Sequence, residues 1–95
     1  MITVIAKNYF RSDKIPEALD ICAQLVSSTR EESGCIQYDL FQDKDDISIL
    51  TFIEIWDTSK SLEKHMESEH FKKLVPLLNN LSKKEGEVNI YNKII

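Results

Sequence analysis

The sequence predicts an α+β fold with the element order β-α-β-β-α-β. Three observations carry that expectation. Period-two apolar patterning marks four segments, three-and-four spacing marks the stretches between the first and second and between the third and fourth, and Gly34, Pro16, Pro76 and Gly86 punctuate them. This order is the split βαβ arrangement called ferredoxin-like, in which both helices cover one sheet face because crossover connections are right-handed.

Residues 2–10 place Ile2, Val4, Ala6 and Phe10 on one face and Thr3, Ile5, Lys7 and Tyr9 on the other, a strand whose second face is partly apolar. Ser12 and Asp13 offer capping oxygens, and Pro16 suits a first helical turn, where a missing N–H costs nothing. Ile15, Ala18, Leu19, Cys22, Leu25, Val26 and Thr29 then form one apolar stripe, with Gly34 able to take the left-handed conformation that closes a helix. Residues 35–43 alternate Ile36, Tyr38 and Leu40 against Gln37 and Asp39. The polar run Asp43-Lys44-Asp45-Asp46 reads as a hairpin connection. Residues 47–56 carry Ile47, Ile49, Ile53 and Ile55 on one side and Leu50, Phe52 and Trp56 on the other, so this strand is covered on both faces.

Asp57-Thr58-Ser59 caps a short helix bearing Leu62, His65 and Met66. A further helical stretch carries Phe71, Leu74, Val75, Leu78 and Leu81, with a kink or a fresh helical start expected at Pro76. Gly86 is expected to open the last strand, with Val88, Ile90 and Ile94 against Glu87, Asn89 and Lys93. No linker or repeat interrupts residues 1–95, which read as a single domain. Helices on one face leave the other face bare although it carries apolar side chains, so a second copy is expected to cover it as a homodimer.

Composition narrows the function. With 42% hydrophobic and 29% charged residues and a net charge of -4, the chain is of ordinary soluble composition and lacks the basic excess of a nucleic-acid binder. No apolar run reaches the ~18–20 residues that span a bilayer, and the opening residues read as a strand, so no membrane association and a cytoplasmic location are expected. Cys22 and Cys35 have neither C-x-x-C nor zinc spacing and read as reduced thiols.

Three stretches go beyond fold: Thr3-Val4-Ile5-Ala6-Lys7-Asn8; Glu31-Glu32-Ser33-Gly34-Cys35-Ile36-Gln37-Tyr38-Asp39; and Phe52-Ile53-Glu54-Ile55-Trp56, followed by Leu62, His65, His70 and Phe71. An E-x-W sequence closes a strand, L-x-x-H lies on the next helix, and H-F opens the following one. In order and spacing these resemble the antibiotic biosynthesis monooxygenase family over nearly the whole chain. The resemblance implies a dimeric α+β barrel and, as one activity, cofactor-independent monooxygenation of a small aromatic or quinol-like substrate by dioxygen. The family also includes haem-degrading enzymes and an isomerase of phosphorylated sugars, so isomerisation of a small hydroxy-ketone and non-catalytic ligand binding stand as alternatives. Of the residues that haem breakdown uses in the superfamily, Asn8 alone matches; His65 and Val75 stand at the tryptophan and ligating-histidine positions.

The candidate catalytic residues are His65 and Asn8. An imidazole titrates near neutrality and suits proton removal from a phenol or enol, although a buried histidine satisfied by a backbone carbonyl gives the same pattern. Asn8 lies among apolar neighbours, where it either holds an oxygen or caps a strand end. Trp56 and Phe52 are candidate pocket walls, with core or dimer packing the other reading of Trp56. His70 and Phe71 complete the candidate pocket. Glu54 reads as a structural ion pair or, if desolvated, a base. No metal site is expected, because His65 and His70 are five apart, Glu69 stands four from His65, and no third ligand is evident along the chain.

Overall fold

The computed structural model describes residues 1–95. It contains β1 (Ile2–Phe10), a 3-10 turn (Ser12–Lys14), α1 (Ile15–Thr29), β2 (Cys35–Gln42), β3 (Ile49–Trp56), α2 (Ser59–Met66), α3 (Glu69–Asn80) and β4 (Ser82–Asn92). The four strands form one antiparallel sheet in the order β2-β3-β1-β4. This is the ferredoxin-like α+β fold, with the helical layer on one face.

Strand register decides what faces the helices. Across β2, β3 and β1, one row holds Tyr38, Glu54 and Val4 and the next holds Leu40, Phe52 and Ala6. Trp56 pairs with Ile2 and Leu50 with Asn8. The core builds on these rows with Phe10, Ala18, Cys22, Leu25, Leu62, Leu74 and Leu78, all buried. Each large apolar side chain buried there contributes roughly 1.5–3 kcal/mol. The opposite face carries Ile5 paired with Ile53, Thr3 paired with Ile55, and the half-exposed Phe41 and Tyr91. No element covers that face.

Several elements differ from expectation, each for a local reason. The N-terminus of α1 has no side-chain cap; Ser12 and Asp13 belong to the preceding 3-10 turn. The same helix ends at Thr29 rather than at Gly34. Gly34, at φ +87°, serves the turn into β2 instead, where a Cβ would collide with the Ser61 side chain. Ile47 lies outside β3 and is exposed, because Asp43 and Asp46 accept backbone N–H groups from Asp45, Asp46 and Ser48 and hold the connection as a polar turn until Ile49. Thr58 caps α2 by accepting the Ser61 N–H, and Ser68 caps α3 by accepting that of Phe71. α3 runs unbroken through Pro76, which sits on its solvent side, so the Lys72 carbonyl it leaves without an amide lies on the exposed face. Gly86 falls within β4 rather than opening it. The β1–β4 register shifts between Lys7 and Tyr9, and Gly86 packs so tightly that a Cβ would stand 2.7 Å from the Lys7 carbonyl oxygen.

Gly34→Ala is therefore expected to lower the unfolding free energy by about 2 kcal/mol or more, combining left-handed strain with a clash against α2. Urea denaturation checks this; a variant as stable as the parent would show that the turn relaxes freely.

Candidate functional site

A cavity of about 310 Å³ lies between the sheet and helices α1 and α3. Its floor is Ala6, Asn8, Tyr38, Phe52 and Glu54 from three strands; Leu25, Phe71, Val75 and Leu78 roof it; Lys7, Asn79, Glu85, Gly86 and Val88 stand around it. The volume is at the small end of ligand pockets, and the mixture of apolar walls with few polar groups is typical of them. A larger but shallower groove runs along α1, between Leu19, Ala23, Val26, Arg30 and Leu40. Its one thiol, Cys22, has its pKa pushed by burial up to about 12 and so is inert at neutral pH.

Glu54 is the chemically unusual group in the cavity. Alternation along β3 sets it on the helix face between Phe52 and Trp56, and it is only 4% exposed. It has no ion pair, contrary to the structural reading of the sequence: the guanidinium that reaches this row, Arg30, donates to the Tyr38 carbonyl and the Asp39 carboxylate instead. Its Oε1 accepts a 2.9 Å hydrogen bond from the Trp56 indole N–H. Burial pushes the carboxyl pKa up to about 7; the indole hydrogen bond opposes the shift and the negative charge of Glu32 adds to it. Tyr38, opposite Glu54 in register, is raised by burial first and by Glu54 among the charges, so its phenol keeps its proton.

Asn8 faces the other end of the cavity. Its Nδ2 donates to the carbonyls of Ala6 and Leu50, both at 3.3 Å. A flipped amide would set oxygen against two carbonyl oxygens, so this orientation is the favoured one. The free group is Oδ1, an acceptor, and Asn8 is thereby suited to receive a substrate hydroxyl rather than to stabilise an oxyanion.

The structure separates the sequence candidates into two groups. Asn8, Phe52 and Phe71 line the cavity; His65, His70 and Trp56 do not. Trp56 is fully buried, and its ring packs on His65 at 4.7 Å and edge-on to Tyr38 at 6.3 Å. His65 is 1% exposed and enclosed by Tyr38, Trp56 and Phe71. Its Nδ1 lies 2.7 Å from Glu32 Oε2, and His70 Nε2 lies 2.8 Å from the same oxygen. Burial lowers the His65 pKa, with the Glu32 hydrogen bond and charge opposing. Glu32 is a residue that spacing arguments along the chain miss. It follows α1 and joins the histidines only through the fold, which thus supplies the third potential ligand that the sequence did not reveal. The signal for Glu54 was legible: a carboxylate flanked at two-residue spacing by Phe52 and Trp56 in a strand apolar on both faces.

Comparison with known proteins agrees with this architecture. A family model described as antibiotic biosynthesis monooxygenase matches residues 1–77. The Synechocystis sp. protein sll1783 is 28% identical over 89 residues; the match covers 93% of this chain and 60% of that protein, so the chain spans about three fifths of that relative. The crystal structure of a conserved protein from Methanosarcina mazei Go1 superposes with a TM-score of 0.96 at 41% identity, covering 98% of this chain and 92% of the other. A crystal structure described as antibiotic biosynthesis monooxygenase superposes with a TM-score of 0.96 at 36% identity over the full length of both chains. No helix is long and apolar enough to cross a membrane.

The buried carboxyl has a measurable signature. Its pKa of about 7 lies above the ordinary 4.5, so the folded state binds the proton more tightly than the unfolded state. Stability contributed by the protonated group is complete below about pH 4.5, falls as pH rises towards 7, and is gone above it, a loss of about 3 kcal/mol. Glu54→Gln removes this term, so the variant should gain on the parent by that order between pH 5 and pH 8. Urea denaturation at the two pH values decides; parallel pH dependences would mean that Glu54 titrates as an ordinary carboxylate.

Proposed function

The chain belongs to the antibiotic biosynthesis monooxygenase family, and from that premise we propose that it is a cofactor-independent monooxygenase of small, flat, electron-rich phenols, quinols or anthrone-like ketones. The observation that carries this reading is Glu54, a carboxyl without a cation partner, set in the wall of an apolar cavity. Near neutral pH such a group can both take and return a proton, and a base works best when its pKa lies near the operating pH.

The chemistry follows from the substrate class. Ground-state dioxygen reacts slowly with closed-shell molecules, but a deprotonated anthrone or quinol is electron-rich enough to reduce it directly. For an anthrone-type CH₂ carbon, Glu54 removes one proton and the carbanion adds dioxygen to form a C–O bond. The peroxide takes up the proton from Glu54, and the O–O bond then breaks as the remaining C–H proton leaves. One oxygen atom stays as the new carbonyl and the other departs as water, so CH₂ plus O₂ gives C=O plus H₂O with no external reductant. Asn8 Oδ1 accepts a hydroxyl of the substrate and fixes its orientation. Phe52 and Phe71 flank the ring plane, and the apolar roof limits side reactions with water. Trp56 acts from behind, holding Glu54 through its indole N–H.

Glu54 is favoured over His65 as the proton acceptor. A base must come within hydrogen-bonding reach of the proton, directly or through one water, and the His65 ring lies outside the cavity wall behind Tyr38 and Phe71. The active species in this reading is a homodimer joined through the bare sheet face, where Ile5, Ile53 and Ile55 meet the half-exposed Phe41 and Tyr91.

Two measurements test these statements. Oxygen uptake with a panel of reduced quinones and anthrones should exceed the autoxidation blank, rise with pH through about 7, and fall about a hundredfold or more in Glu54→Gln. Uptake absent across the panel would remove the monooxygenase reading, and turnover without dioxygen would favour isomerisation. Sedimentation should give a dimer for the parent chain and a monomer for Ile53→Lys; a parent monomer at micromolar concentration would refute the dimer.

A further inference from the structure

Outside the cavity, the structure gathers Glu32, His65 and His70, residues that the reaction above does not use. They come from three places: the turn after α1, the end of α2 and the first turn of α3. On a continuous helix, residues five apart point about 140° away from one another. Here α2 stops at Met66 and α3 restarts after Ser68, whose hydroxyl donates to the His65 carbonyl and accepts the Phe71 N–H. That break turns the two imidazoles together, with ring centroids 6.1 Å apart. Glu32 is held from the other side, its backbone N–H donating to Thr29 and its carbonyl accepting from Cys35.

We propose that Glu32, His65 and His70 form a binding site for one borderline divalent transition-metal ion of the zinc class. His65 would bind through Nδ1, His70 through Nε2 and Glu32 through a carboxylate oxygen, leaving a position for water. Two imidazoles and one carboxylate suit zinc, cobalt or ferrous iron, whereas magnesium and calcium prefer all-oxygen sites.

The geometry needs little adjustment. The three donor atoms lie within 4.8 Å of one another. Bonds of about 2.0–2.2 Å in a tetrahedral site put ligand atoms about 3.3 Å apart. Glu32 therefore retreats by about half an ångström from contacts of 2.7 and 2.8 Å, while the two ring nitrogens draw in. The His65 ring is already fixed by Tyr38, Trp56 and Phe71, so the ion pays little for ordering it. An entry path exists at His70, whose side chain is 22% exposed. Because Tyr38 and Phe71 stand between the cluster and the cavity, the ion fastens the end of α1 to α2 and α3 rather than touching the reacting substrate. This proposal is independent of the monooxygenase reading.

The test is titration of chelator-stripped protein with Co²⁺, followed by absorption, and with Zn²⁺, followed by calorimetry. One ion per chain should bind, with ligand-field bands from Co²⁺ and a melting temperature raised by several degrees at saturating Zn²⁺. Glu32→Gln and His70→Ala should each weaken binding at least about tenfold while keeping the circular dichroism spectrum of the parent. The neighbouring Glu69→Ala should bind as the parent does. Lack of saturable uptake below millimolar metal, or parental affinity in either Glu32→Gln or His70→Ala, overturns the assignment. Glu32→Gln keeps the shape of the side chain and so reports on ligation even if His70→Ala loses stability.

Discussion

The antiparallel pairing of β1 with β3 is the constraint from which the rest of the molecule is built. It places Ala6 beside Phe52, Val4 beside Glu54 and Ile2 beside Trp56. A slip of one residue would send each of these to the opposite face, exchanging the helix-facing core for Ile5, Ile53 and Ile55. The register is held because both faces of β3 are apolar yet differ in size: large aromatics and Leu50 towards the helices, branched isoleucines away from them. Flanking strands lock the choice, since β2 and β4 both pair with this central couple. Ala6 is the smallest side chain on the cavity floor, beside Phe52.

Glu54 is the cost of that arrangement. Strict alternation means that whatever stands between Phe52 and Trp56 at two-residue spacing must face the core, and here it is a carboxylate. Burying it without a cation is unfavourable, and the chain responds by giving it one indole donor and a raised pKa rather than a salt bridge. The two clusters behind the sheet face are thereby linked. Tyr38 and Phe71 line the cavity on one side and enclose His65 on the other, so packing changes around one are felt by the other.

Much of this was legible in the amino-acid order. Element type, sequence of elements and the apolar faces of the strands follow from period two and period 3.6; element ends and caps follow less closely. Three of these differences share a cause: Gly34, Pro76 and Gly86 look like element ends in one dimension, while in three they serve a turn, a solvent-facing helix position and a bulge. The site was less legible. Proximity of Asn8, Phe52 and Phe71 to one cavity follows from face assignment, but the removal of His65 and Trp56 from it does not. Which side of an aromatic layer a side chain occupies depends on how α2 and α3 pack, and no spacing rule carries that. Glu32 was invisible as a partner of the histidines because 33 residues separate it from His65.

The bulge at Gly86 has a consequence for how such a protein can diversify. Glu54 and its indole partner sit on one inner strand, β3, whereas the rim of the cavity is partly drawn by Glu85, Gly86 and Val88 on an edge strand whose register is already irregular. Exchanges at Glu85 and Val88, on either side of the tightly packed Gly86, can reshape the opening while leaving the carboxylate undisturbed. The margin of the cavity and its buried carboxylate are thus housed on separate strands, so the shape of the opening can change by remodelling the border alone.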